Sequence, residues 1–136
     1  MSDSILSLNF NQEVFDQILK AEPYLRDEFI LQSGRFIETS MKLIAFSKGM
    51  KPVPEDQAEM KRRGTDCFRE DRDNALLNAT ECLVEANALA IQKGLAPVYA
   101  GELDTSNERL CTQLVTLASV EAGNKDKDRE HHHHHH

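Results

Sequence analysis

The fold is decided by residues 24–49, YLRDEFILQSGRFIETSMKLIAFSKG, which carry the clearest apolar pattern in the chain. Apolar residues recur there at the spacing of an α-helix. The pattern comprises two series seven residues apart and two flanking residues: Phe29, Phe36 and Leu43; Ile30, Ile37 and Ile44; Leu25 and Met41. At about 100° per residue they form a stripe about 160° wide. We therefore predict a helix that contacts at least two neighbours and ends at Gly49, and we expect Gly34 to permit close approach of another helix.

The segments on either side have the same period. Residues 11–22 should form a helix capped by Asn9 or Asn11, and Pro23 should end it or lie in the first turn of the next. The face that this helix buries is predicted to be Val14, Phe15, Ile18 and Leu19. The last helix is predicted to begin at Thr105, because Glu108 lies at the spacing of a capping box. It should bury Leu110, Cys111, Leu114, Val115 and Ala118.

Residues 54–93 have the pattern of one long helix between Pro54 and Gly94. Forty residues would span about 60 Å, which is long for a domain of this size. We therefore expect a kink or break near Gly64 or in residues 71–74. The later half has a face of small residues that favours tight helix contact: Ala75, Ala79, Cys82, Ala86 and Ala90.

These segments predict an all-α protein, an antiparallel bundle of about four amphipathic helices with a short N-terminal arm. Residues 1–10 are the predicted extended arm, since Leu6, Leu8 and Phe10 alternate with polar residues. Residues 11–123 form the predicted bundle domain. Residues 124–136 are charged and are predicted to be a disordered tail that includes the hexahistidine tag, residues 131–136.

All six histidines lie in that tag, which limits the chemistry available to the rest of the chain. Histidine is the usual general base near neutral pH and the commonest metal ligand. The sequence also has no phosphate-binding loop and no Cys-x-x-Cys motif. Glu81 and Glu85 are interpreted as solvated carboxylates rather than as metal ligands. We predict no catalytic residues, no metal site and no cofactor.

Charge and cysteine content narrow the class of protein further. The net charge of −7 disfavours binding to duplex nucleic acid or to an anionic membrane. The chain has no apolar run of about 18 residues and no signal peptide pattern, so we expect a cytoplasmic protein. The three cysteines, Cys67, Cys82 and Cys111, are an odd number on apolar faces and are predicted to be buried thiols.

Three apolar residues of the central helix fall outside its predicted core stripe. They are Tyr24, Leu31 and Phe46, which lie together on the opposite side of the helical wheel. An isolated exposed apolar residue is ordinary. A group of three on one side of a helix more often contacts another helix, the arm or a second protein. We interpret it as an interface with a partner protein or, in a homodimer, with a second copy.

The basic residues between positions 61 and 72 suggest a second kind of site. Arg62, Arg63 and Arg69, together with Tyr99 of the later loop, could bind a small anion. Acidic residues are interleaved with these arginines at helical spacing, which favours a salt-bridged solvent face instead. Anion binding is therefore the alternative hypothesis.

The favoured function is a noncatalytic interaction or regulatory protein of the inhibitor, adaptor, immunity or anti-activator type. Such a protein would dock a helical face on a partner protein. The alternative is a helical binding protein or enzyme for a small anionic or nucleotide ligand. The sequence alone names neither the partner nor the ligand.

Overall fold

The computed structural model describes residues 9–119, and all regular structure in that range is helical, as predicted. The five helices between residues 12 and 119 are α1 (Gln12–Ala21), α2 (Pro23–Ser47), α3 (Pro54–Arg63), α4 (Cys67–Gln92) and α5 (residues 108–119). Most of the predicted arm, residues 1–8, and the whole predicted tail, residues 124–136, lie outside the described residues. A helical bundle is confirmed, with one helix more than the predicted four.

The additional helix arises because the long pattern of residues 54–93 breaks at Gly64, the first of the two predicted places. Gly64 has φ +108° and ψ 161°, a conformation almost restricted to glycine. Its N–H donates to the carbonyl oxygen of Met60 at 2.8 Å and closes α3. Residues 71–74 remain helical within α4.

α1 and α2 form a hairpin with almost no loop. The side chain of Asn11 accepts a hydrogen bond from the N–H of Val14 at 3.1 Å, so Asn11 is the N-cap. Glu22 alone separates α1 from Pro23, which lies in the first turn of α2. The predicted buried face of α1 is confirmed: Val14, Phe15, Ile18 and Leu19.

The centre of the bundle is the antiparallel pair of α2 and α4. Tyr24, at the start of α2, hydrogen-bonds to Glu85 in the later half of α4, whereas Phe46, near the end of α2, contacts Phe68 at the start of α4. The small residues predicted to form a tight face on α4 are all buried: Ala75, Ala79, Cys82, Ala86 and Ala90. α1 packs on α2 through Phe15, whose ring centroid lies 5.2 Å from that of Phe29 in an edge-to-face arrangement.

The buried stripe of α2 is narrower than predicted. Met41 and Ile44 were placed in the core stripe, but their side chains are 65% and 54% exposed. The physical reason is the length of α1, whose ten residues can cover only part of the twenty-five-residue α2. The expected close approach at Gly34 is also wrong, since no atom of a neighbouring element lies within 4 Å of a Cβ built there.

Two polar residues take buried positions on α2 that the apolar pattern did not reveal. Ser33 donates to the carbonyl oxygen of Phe29 at 2.6 Å, four residues earlier in the helix. Gln32 donates to the carboxylate of Glu28 at 3.1 Å. Because each buried polar group has a local partner, burial leaves neither one unsatisfied.

The loop between α4 and α5 is anchored by two asparagines. The side chain of Asn87 accepts a hydrogen bond from the N–H of Val98 at 2.8 Å. The carbonyl oxygen of Val98 accepts from the N–H of Asn11 at 2.7 Å. Val98 and Tyr99 are buried in consequence, so this loop contributes to the core.

α5 begins later than predicted, and the proposed capping box is wrong. Asn107 is the residue that caps it, accepting from the N–H of Leu110 at 3.1 Å, while Asp104 holds Ser106 in a turn before the helix. At the start of α5, Glu108 accepts from Arg72 at 3.3 Å, and Cys111 lies beside Thr80. The start of α5 therefore contacts residues 72–80 of α4. Its buried residues are Cys111, Leu114, Val115 and Ala118.

Candidate functional site

The residues predicted to form an interface have unequal surroundings. Leu31 is exposed. Phe46 is half-buried, and its ring centroid lies 6.0 Å from that of Phe68 within the same chain. Tyr24 is exposed along its ring, but its hydroxyl donates to Glu85. The structure therefore does not join the three side chains into one uncovered apolar surface, and their contact with a partner stays a prediction.

The hydrogen bond between Tyr24 and Glu85 has an electrostatic consequence. It raises the pKa of Tyr24 to about 12, because loss of the phenol proton would place a second negative charge beside the carboxylate. The phenol acts as a hydrogen-bond donor that links the start of α2 to α4.

A larger uncovered apolar surface lies at the end of α2 and in the turn that follows. We call it the α2 end patch; its members are 54% to 65% exposed and are Met41, Ile44, Met50 and Val53. The N–H of Met50 donates to the carbonyl oxygen of Ala45 at 3.1 Å, which folds Met50 back beside the last turns of the helix. Met41 and Ile44 are three apart and thus neighbours on the helix surface. Single exposed apolar residues are ordinary, but four large ones within thirteen residues of chain indicate a candidate binding surface.

Sequence reasoning did not identify the α2 end patch, because Met41 and Ile44 have the same helical spacing as the true core residues. The signal that could have found it is the difference in length between neighbouring helices. A helix that ends after ten residues leaves the far end of a twenty-five-residue neighbour without cover on that side.

A second apolar surface runs along α4. We call it the α4 stripe; it consists of Leu77, Val84 and Ile91, which are seven residues apart and 38% to 57% exposed. Residues seven apart lie almost above one another on a helix. The stripe is separate from the small-residue face that packs into the core. The seven-residue spacing is visible in the sequence, but the apolar pattern of the buried face of α4 is more prominent.

The predicted anion-binding residues lie in two different parts of the molecule. Arg62 pairs with Glu59. Arg63 pairs with Glu59 at 3.2 Å and with Asp71 at 2.7 Å, and Arg69 is exposed.

Tyr99 is distant from all three arginines. It is buried in the loop beside Asn87, eighteen residues along α4 from Arg69, a distance of about 27 Å at 1.5 Å per residue. The four residues therefore do not form a single site. Arg62 and Arg63 instead pair with nearby carboxylates, which agrees with the salt-bridged solvent face that the sequence favours.

A polar groove of about 440 Å³ separates the adjoining faces of α2 and α4. Its lining includes Gln32, Arg35, Glu38, Thr39, Lys42, Phe68, Asp71, Asn74 and Asn78. At one end, Lys42 donates to Asp56 of α3 at 3.1 Å and lies 5.0 Å from the centroid of the Phe68 ring. The hydrogen bond from Arg63 lowers the pKa of Asp71, and the charges of Arg63 and Arg35 add to that effect. The groove thus contains an ordered charge network that joins three helices.

The cysteines have the environment of structural thiols. All three are buried and free. Burial raises the pKa of Cys82 to about 12, and it also raises the pKa of Cys111. Because the thiolate is the reactive form, neither thiol is activated as a nucleophile at neutral pH.

Residues 9–119 contain neither a metal-binding cluster nor a helix that could span a membrane. In that range no group of three or more histidine, cysteine, aspartate or glutamate residues is arranged to hold a metal ion. None of the helices in the described part of the chain is long and apolar enough to cross a membrane. No family model, curated protein or solved structure matches this chain.

Proposed function

We propose that this chain is a noncatalytic regulatory protein that acts by docking a helical surface on a partner protein. The observation that carries the proposal is the α2 end patch, in which Met41, Ile44, Met50 and Val53 present four large apolar side chains to solvent. When a partner buries such a cluster, the free energy of the complex falls by about 25 cal/mol for each Å² of apolar surface removed from water. The inhibitor, adaptor, immunity and anti-activator types all use such a contact.

The chemistry of the patch indicates the kind of partner. Two of its four members are methionines, whose flexible thioether side chains adapt to irregular apolar surfaces. Lys48 and Lys51 are exposed in the same stretch of chain. The proposed partner is therefore a protein with an apolar groove or helix face bordered by acidic residues. We place this interaction in the cytoplasm, because buried free thiols suit a reducing compartment.

The test begins with capture of partners from an extract of the source cells, using the immobilised chain, and identification by mass spectrometry. The purified partner is then titrated by calorimetry against the wild type and the double variant Met41→Glu, Ile44→Glu. We expect the double variant to bind at least about tenfold more weakly, because two carboxylates would be buried in the contact.

Leu31→Glu is the matched control, since Leu31 is an exposed apolar residue of the same helix outside the patch. Its binding should remain within about threefold of the wild type, a difference below 1 kcal/mol. Circular dichroism should show equal helix content in all three proteins. If Leu31→Glu abolished binding and the double variant did not, the partner would dock on the surface around Tyr24, Leu31 and Phe46.

The polar groove supports a second candidate function, binding of a small anion. Arg35 stands at its side with the carboxamide of Asn78, which can donate hydrogen bonds to phosphate or carboxylate oxygens. This set differs from the arginines predicted in the sequence. A thermal-shift titration with inorganic phosphate and ATP tests it, since a ligand at a hundred times its dissociation constant stabilises a protein by about 2.7 kcal/mol. Arg35→Ala should abolish the shift, and no shift in the wild type would exclude these two ligands.

A further inference from the structure

The α4 stripe has a symmetry that the α2 end patch lacks. Val84 lies midway between Leu77 and Ile91, seven residues from each. In a twofold contact between two copies of one helix, the residue on the axis meets itself and residues equally spaced from it exchange places. An antiparallel pair centred on Val84 would therefore set Leu77 of each copy against Ile91 of the other.

We propose that the α4 stripe pairs with the α4 stripe of a second copy of this chain, antiparallel and centred on Val84. Each contact would then join two exposed apolar side chains: Val84 with Val84, and Leu77 with Ile91 twice. The spacing of seven residues is the repeat that keeps two packed helices in register over several turns. This proposal is independent of the α2 end patch and of the partner that docks there.

The polar residues beside the stripe complement one another in the same register. Asn74 and Gln92 are exposed and lie on the same side of the stripe on the helical wheel. In an antiparallel pair centred on residue 84, Asn74 lies opposite residue 94 of the other copy, two residues from its Gln92. Each carboxamide can donate a hydrogen bond to the other and accept one from it, and the twofold axis makes the contact twice.

The same register keeps Glu81, which lies beside the stripe, away from its own copy. Glu81 is exposed and would lie opposite residue 87 of the other copy, next to Ala88, whose exposed side chain is small and uncharged. The two Glu81 residues would then be six residues apart, about 9 Å along the helices. The antiparallel register therefore brings no like charges together at Glu81.

The first test measures self-association by sedimentation equilibrium. The wild type is expected to dimerise, and Val84→Glu is expected to raise the dissociation constant at least about tenfold, since two carboxylates would meet on the twofold axis. Leu31→Glu is the control and should leave the dimer unchanged. A wild type that is monomeric at every concentration would overturn the proposal. So would loss of the dimer in Leu31→Glu but not in Val84→Glu.

The second test determines the orientation and does not depend on a destabilising substitution. Each variant carries one added cysteine and is treated with a short bis-maleimide; wild type is the control, because its own cysteines are buried. Val84→Cys should cross-link with itself. Leu77→Cys should not, because its two copies would lie about 21 Å apart along the helices. A mixture of Leu77→Cys and Ile91→Cys should cross-link, and efficient self-cross-linking of Leu77→Cys would overturn the antiparallel arrangement.

Discussion

Gly34 and Gly64 show that the same residue type can be either dispensable or required. Gly34 is an exposed residue in the interior of α2 and has open space where a Cβ would be. Gly64 joins α3 to α4 with φ +108°, also with open space around it. Neither glycine is therefore required to avoid a steric clash with another element. What differs is the backbone conformation, which a Cβ tolerates at Gly34 and resists at Gly64.

Substitution of the two glycines by alanine should have opposite effects on stability. Gly34→Ala should raise the free energy of unfolding by about 0.5–1 kcal/mol, because alanine is the better helix former. Gly64→Ala should lower it by about 1–3 kcal/mol, because the backbone would be strained. Urea unfolding followed by circular dichroism measures both. If Gly64→Ala were as stable as the wild type, α3 and α4 could join as one helix.

The ion pair between Arg63 and Asp71 predicts a dependence of stability on pH. The hydrogen bond from Arg63 lowers the pKa of Asp71 below its ordinary 3.8. The contribution is therefore fully present above the unfolded-state pKa and is lost as the pH falls through the lower folded-state pKa. Asp71→Asn should melt at a lower temperature than the wild type near pH 7, and the difference should shrink as the pH falls below the ordinary value of 3.8.

A matched control for this measurement is Glu102→Gln, in the exposed part of the loop before α5. Its melting temperature should follow that of the wild type throughout the pH range. A difference between Asp71→Asn and the wild type that did not shrink with falling pH would show that the effect comes from packing or from the amide rather than from the ion pair.

At the scale of elements, local patterns predicted each helix but not which parts of it would be covered. The apolar spacing of α1 and the small-residue face of α4 were sufficient to identify their buried residues. For α2 the spacing could not separate Phe36, which is buried, from Ile44, which is exposed, because burial there depends on where α1 ends. The exposure of the two apolar surfaces was consequently visible only in the structure. The same is true of the groove, since its residues come from separate helices.

α3 should be the least protected of the described helices. In α3 the buried residue is Asp56, and the helix is held to its neighbours by the pairs Lys42–Asp56 and Arg63–Asp71. With little apolar surface buried, local opening should require less free energy than in α2 or α4. We expect hydrogen exchange measured by mass spectrometry to be fastest in α3.

Removal of one of these pairs should increase the exchange of α3 selectively. Lys42→Gln leaves Asp56 without its cation and should accelerate exchange in residues 54–63 while that of α4 changes little. Lys48→Gln is the control, an exposed lysine just after α2. Equal protection of α3 and α4 in the wild type would show that α3 is held by more than these two pairs.

The stability of the whole molecule depends on an aromatic cluster where α1 meets α2. Phe15 and Phe29 are both completely buried, and Phe10 packs against Phe15 with a centroid distance of 5.6 Å. Edge-to-face pairs of this kind contribute about 0.5–1.5 kcal/mol beyond the area that they bury. The cluster joins the chain before α1 to the centre of the bundle.

Phe15→Ala should lower the free energy of unfolding by about 3–5 kcal/mol, a large part of the 5–15 kcal/mol typical of a whole domain. Leu31→Ala, at an exposed position, should change it by no more than about 0.5 kcal/mol. Guanidinium unfolding monitored by circular dichroism distinguishes the two. A loss below about 1 kcal/mol in Phe15→Ala would contradict the packing of α1 on α2.

The N–H of Asn11 donates to the carbonyl oxygen of Val98, which lies 87 residues later in the chain. During synthesis the start of α1 can therefore make this hydrogen bond only after Val98 has been added. A ribosome releases residue 11 long before residue 98, and at about 5–20 residues per second the interval is several seconds. Through that interval the start of α1 lacks its acceptor, although α1 and α2 are complete and can already pair. The arrival of the loop after α4 therefore supplies the acceptor that holds the start of α1. In nascent chains halted before residue 98, the start of α1 should lack this hydrogen bond and remain accessible to a protease or a chaperone.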